Sequence, residues 1–162
     1  MPTSTSMRAL VFERPGVPLT LTEVPIPAVA QGQVLVRIKA SGVNPLDTKI
    51  RAGSAEHARV RLPAILGMDL AGVVETVGPG VKSFHPGDEV YGFAGSIGGL
   101  QGSLAAFAAV DADLLALKPT NLSMREAAAL PLVFITAWEG LVDRAQVHAG
   151  QKVLVHAGAS KA

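Results

Sequence analysis

The residues best suited to chemistry sit in a few short stretches. "SGVNPLDTKIRAG" (41–53) sets Asn44, Pro45 and Asp47 at the spacing of a helix start. There Asn serves as N-cap, Pro fits the first helical position, and Asp at the third reaches back to a free backbone donor. The same pair is an amide donor beside a carboxylate acceptor. "GMD" (67–69) puts Met68 and Asp69 side by side. Tyr91 in "DEVYGF" carries a hydroxyl donor, in a run that reads equally as a strand with a half-buried aromatic. "VLVHAGA" (153–159) joins an apolar run to Gly158. That is the pattern of a strand feeding a glycine turn, where backbone approaches a pyrophosphate.

Metal chemistry finds little support. A catalytic zinc needs about three N, S or O ligands converging on one point. The chain has no cysteine, and its four histidines (His57, His85, His148 and His156) are scattered without ligand spacing. Each reads as a surface or strand residue. The lack of cysteine also excludes disulfide frameworks and suits a reducing cytoplasm, the expected compartment.

Short β-type runs must position these groups. Residues 7–12, 19–24, 34–41, 70–77, 89–93 and 104–110 alternate or are rich in Val, Leu and Ile. "VGPGV" (77–81) and "PGDEV" (86–90) punctuate them as turns. Many short strands with such turns predict a β-barrel or sandwich over the first part of the chain. The texture changes after Pro119. "SMRE" (123–126) fits a capping box, and an Ala-rich helix follows to Leu130. Pro131 ends or kinks it, and a second helix runs to about Arg144, with Thr136 inside it. Phe134 and Trp138, four apart on that helix, read as core or interface packing. The apolar strand Lys152–His156 then opens an α/β texture. The expected organisation is mainly β with α: 1–122 as one domain, 123–162 as a helical connection and the start of a second.

Bulk properties exclude several classes. Among the 162 residues, 49% are hydrophobic and 17% charged, a core-forming composition rather than a disordered one. Net charge is +1 and no basic run occurs, so no nucleic-acid partner is expected. The longest apolar stretch, "AAALPLVFITAW", is too short to span a bilayer, so no membrane association is expected.

Taken together, "GVNPLDTKIRAG", "LPAILGMDLAGVVETVGPGV", "FHPGDEVYG", "AAALPLVFITAWEGLVDRA" and "GQKVLVHAGA" resemble the medium-chain dehydrogenase/reductases. More narrowly they resemble the zinc-independent quinone oxidoreductase (ζ-crystallin-like) branch. The match runs in order from Met7 to Ala159. It implies a GroES-like β-barrel catalytic domain followed by the first strand of a truncated Rossmann domain, with NADPH (or NADH) held between the two in the full-length parent. Zinc-binding members carry Cys where Asn44 stands and Gly-His-Glu where Gly67, Met68 and Asp69 stand. Asn and Met are poor zinc ligands, and Asp69 alone cannot hold the ion.

Without a Lewis acid, hydride transfer is easiest to substrates that already delocalise the incoming charge, namely quinones and conjugated enones. The resemblance implies that Asn44, Asp47 and Thr136 are catalytic, with Asn44 and Thr136 against the nicotinamide. It implies Met68, Asp69 and Tyr91 as substrate pocket and Gly158 as a cofactor contact. The chain alone is expected to be inactive, and its apolar helix Pro131–Val142 to self-associate. The alternatives are a stand-alone GroES-like binding or co-chaperonin-type module and a zinc-type alcohol dehydrogenase relative.

Overall fold

A computed structural model describes residues 5–156 of the chain. Among the described residues eight strands form two antiparallel sheets. The smaller has the order β2 (Thr20–Pro25), β1 (Ser6–Phe12), β4 (Ala64–Ile65). The larger has the order β7 (Phe107–Asp111), β3 (Gln33–Ser41), β5 (Asp69–Val77), β6 (Glu89–Phe93), β8 (Ala116–Leu117).

Residues 104–106 stitch the sheets together. Leu104 O accepts from Leu10 N at 2.8 Å, and Ala106 N donates to Arg8 O at 3.0 Å. On the other side Ala106 O accepts from Ile38 N at 2.9 Å. The sequence pattern starts a strand at Leu104; the β7 ladder starts at Phe107 because the preceding residues divide their bonds between β1 and β3.

Alternation decides what the sheets bury. Val34 and Val36 of β3, Leu70 and Val74 of β5, Val90 of β6, and Ala108 and Val110 of β7 point into one core with Phe84. A second core gathers Phe12, Ile50, Ala55, Ala58, Leu66 and Met68. The turns fall where the sequence placed them: Val81 N donates to Gly78 O at 3.4 Å, and Asp88 N to His85 O at 3.1 Å.

Three α-helices accompany the sheets among the described residues: α1 (Pro45–Arg51), α2 (Met124–Ala128) and α3 (Pro131–Trp138). Ser123 and Glu126 form the expected capping box on α2, with Ser123 N to Glu126 Oε2 at 2.8 Å and Glu126 N to Ser123 Oγ at 3.3 Å. Pro131 separates α2 from α3, since it cannot donate into a continuing helix. α3 runs on into a π-helical turn, Glu139–Arg144.

The expected strand Lys152–His156 is not paired. A parallel strand needs a neighbour for its backbone groups. Among the described residues none runs beside this segment, and Leu154 is 79% exposed. Phe134 and Trp138 stack on each other at 5.9 Å between ring centroids, but at 60% and 51% exposure they are a surface pair, not core.

Candidate functional site

Local sequence builds the first part of the site. β3 ends at Ser41, and Asn44 turns the chain into α1 with extended backbone. Asp47 Oδ2 accepts from Asn44 N at 2.8 Å, the returning half of a capping box. Its other oxygen, Oδ1, accepts from Gly67 N at 3.2 Å. One carboxylate therefore ties the helix start to the loop that leads into β5.

The Asn44 side chain also reaches beyond its own helix. Its Nδ2 donates to Asp69 Oδ2 at 2.9 Å. Asp69 is the first residue of β5 and is 1% exposed. Its remaining oxygen, Oδ1, accepts from Leu132 N at 3.1 Å, in the first turn of α3. Thr136, one turn on, donates its hydroxyl to Leu132 O at 2.8 Å. A continuous hydrogen-bonded path thus runs from Asn44 through Asp69 and Leu132 to Thr136.

Two carboxyls share this dry corner, and burial shifts the protonation of both. Burial pushes the Asp47 carboxyl above its ordinary value, and the Asn44 and Gly67 backbone donors offset part of this. Burial likewise raises Asp69; the Asn44 side chain and Leu132 N–H oppose it, and the charge of Asp47 adds to it. A raised folded value means that the native state holds these protons more tightly than the unfolded chain. The associated stability is present below the ordinary carboxylate value of 3.8 and is lost as pH rises through the raised values. Relative to Asp69→Asn, the protein should therefore lose stability over that acidic window and then level off. Urea unfolding of both proteins across a pH series checks this; a relative gain on raising the pH would contradict it.

The other expected residues fall in different surroundings. Met68 is fully buried in the second core. Tyr91 lies opposite Ala71 in the β5–β6 ladder and packs partly against Ala127 and Ala128. It also lines a groove of about 370 Å³ with Phe93, Leu115, Pro131, Phe134 and Ile135. Gly158 lies outside the described residues. Gly42 has a structural role that the sequence reading does not anticipate. A Cβ there would drive into the Ala128 carbonyl oxygen and meet Asp69 Cβ at 3.0 Å, so its lack of a side chain lets the end of α2 close onto this corner. Its position two residues before Asn44 was the available signal.

The donor set does not fit a zinc ion. Both Asp69 oxygens accept protein N–H groups, the Asn44 amide donates, and Met68 is sealed in the core. Among the described residues no three His, Cys, Asp or Glu side chains gather in a way that could hold a metal ion.

An antiparallel barrel-like fold, with a polar helix start buried at one end and two short helices leading away, defines the architecture. Residues 30–120 match the family model described as the alcohol dehydrogenase GroES-like domain, and the chain belongs to that family. It is 42% identical over 142 residues to an "NADPH-dependent alkenal/one oxidoreductase, chloroplastic" of Arabidopsis thaliana, covering 85% of this chain and 36% of the relative. It is 37% identical over 155 residues to a "Quinone oxidoreductase" of Sus scrofa, covering 96% of this chain and 45% of the relative. The chain thus spans less than half the length of these relatives. Its fold superposes with a TM-score of 0.88 on the crystal structure of an alcohol dehydrogenase superfamily protein from Novosphingobium aromaticivorans. That protein is 64% identical, with 90% of this chain and 44% of the other covered. The chain is therefore related to a quinone oxidoreductase and to an alkenal/one oxidoreductase that is NADPH-dependent.

Proposed function

We propose that this chain supplies the substrate side of a nicotinamide-dependent oxidoreductase that reduces quinones or conjugated enones by hydride transfer without zinc. The observation that carries this reading is the corner at Asn44, where a buried amide donor stands on a carboxylate whose two oxygens are both occupied by N–H groups. An amide NH2 has two donors, and Asp69 takes one. The second would steady the substrate carbonyl oxygen as it gains charge. Thr136 would flank the nicotinamide, which supplies the hydride when bound. In an enone the hydride adds to the β-carbon, the electron pair moves to the carbonyl oxygen, and a solvent proton completes the reduction. The groove beside Tyr91, walled by Phe93 and Phe134, suits a flat apolar substrate. Asp47 holds Asn44 in place, and Met68 backs the corner from the core.

NADPH is the expected reductant, with Gly158 among its phosphate contacts. Turnover needs reductant and substrate held in near contact, so this 162-residue chain by itself should turn over little. The test compares the chain alone with a fusion to the dinucleotide-binding part of a full-length quinone oxidoreductase. The fusion should oxidise NADPH in the presence of a quinone or enone and be indifferent to chelators. Asn44→Ala should lower its kcat/KM by about a hundredfold, the usual loss for one oxyanion donor. Alcohol oxidation that disappears on chelation would instead establish the zinc-type reading.

The exposed apolar surface of α3 and the turn that follows it supports a second part of the proposal. Val133, Phe134, Ile135, Trp138, Leu141 and Val142 are all exposed large apolar side chains close together in the chain. Surface of this kind marks association. The isolated chain should show a mass that rises with concentration in light scattering. Phe134→Glu with Trp138→Glu should hold it monomeric; an unchanged mass in that variant would point the association elsewhere.

A further inference from the structure

We propose that Asp69 is a positioning residue whose carboxylate docks the first turn of α3 onto the Asn44 corner, so that the sheet dictates where the Thr136-bearing helix lies. The functional meaning rests on the reading of Asn44 and Thr136 above; the tether itself is a property of this chain. Three observations converge on it. Asp69 is almost completely buried, yet both its oxygens are used, one by Asn44 Nδ2 and one by Leu132 N, from segments 25 and 63 residues away. Leu130, at the N-cap position of α3, makes no side-chain capping bond, and Pro131 has no N–H. The sequence of α3 therefore supplies no capping group of its own, and Asp69 provides one from β5. Gly42 leaves room for the Ala128 carbonyl beside Asp69 Cβ, which brings the α2–α3 junction within reach.

The chemistry singles out a carboxylate. Two N–H donors converge on one side chain, and only a carboxylate presents two acceptor oxygens at that spacing. An amide has one acceptor. Asn in its place leaves either Leu132 N–H or the Asn44 NH2 without a partner, whichever way the amide faces. Asp69→Glu would keep both acceptors but force an additional methylene into a packed region.

Amide hydrogen exchange in the 162-residue chain tests this without any assay of catalysis. With Asp69→Ala, exchange at Leu132 should accelerate about tenfold to a hundredfold, the range for loss of a hydrogen bond to a charged group. Exchange at Val36 and Val74 in the central sheet should stay unchanged. The anisotropy of Trp138, the chain's single tryptophan, should fall as α3 loosens. Asp69→Asn should expose one of the two donors and restore part of the anisotropy. Equal protection of Leu132 in Asp69→Ala, or acceleration of the central sheet in step with it, would overturn the proposal. Should Asp69→Ala fail to fold, Asp69→Asn decides: Leu132 and the Asn44 NH2 both as protected as in the parent would likewise overturn it. Loss of hydride-transfer activity in the fusion with this tether intact would reject the functional reading and leave the positioning role standing.

Discussion

Asp47→Ala is expected to destabilise the fold by about 2–4 kcal/mol, although residue 47 lies on the short helix α1 and the change leaves the helix propensity favourable. The reason is the two N–H groups it serves. Asn44 N and Gly67 N both end on its carboxylate, at 2.8 and 3.2 Å, in a buried setting. Removing the acceptor strands both donors, and each buried orphan costs about 1–3 kcal/mol. Part of this is recovered, because a carboxyl whose ionisation burial opposes no longer has to be kept from water. Asp47→Asn keeps one acceptor and should lose roughly half as much. Thr48→Ala is the control: its hydroxyl donates to Pro45 O at 2.7 Å on the exposed side of the same helix. Its removal should move stability by less than about 0.5 kcal/mol. Urea midpoints from far-ultraviolet circular dichroism separate these cases. A loss for Asp47→Ala no larger than that for Thr48→Ala would show that the carboxylate holds nothing together.

Gly67→Ala should cost about 3 kcal/mol or more. Gly67 has φ +98°, a region that L side chains rarely adopt, and strain of this kind costs about 1–3 kcal/mol. A Cβ there would also collide with Ser103 Oγ and meet Leu104 N at 3.1 Å. Gly87 offers a matched comparison, with φ +98° as well but nothing within 4 Å of a Cβ. Gly87→Ala therefore measures the backbone strain alone, and the excess in Gly67→Ala measures the collision. Thermal or urea unfolding of the two variants gives the difference. Equal losses would mean that the Ser103 side simply yields.

Much of this architecture was legible in the sequence. Alternating Val and Leu residues announced β1, β3, β5 and β6 within a residue or two, since burial on one face imposes a period of two. The turns at Pro79–Gly80 and Pro86–Gly87 and the cap at Ser123 were legible because their chemistry is local. The site was legible only in pieces. Asn44 and Asp47 stand three apart, so their mutual bond follows from helix geometry. The bond from Asp69 to Leu132 joins residues 63 apart, and nothing local reports it. The two-residue strands β4 and β8 are defined by their partners rather than by any pattern of their own. The apolar run at 152–156 shows the converse: a strand-like pattern becomes a strand only when a neighbour accepts its hydrogen bonds.

The place of β3 in the larger sheet has a consequence for synthesis. β3 is bordered by β5 on one side and β7 on the other, with Gln33 opposite Asp111 and Val34 opposite Val77. On the ribosome it emerges before either neighbour exists. At ordinary translation speeds of about 5–20 residues per second, its Val34–Val36 core segment waits on the order of seconds for its first border and longer for its second. A nascent chain in that interval carries an unpaired apolar strand with two open edges, the form most prone to pairing with another chain. Until β7 arrives, one edge of this strand stays open, and slower synthesis between β3 and β7 should lower the share of the protein recovered soluble.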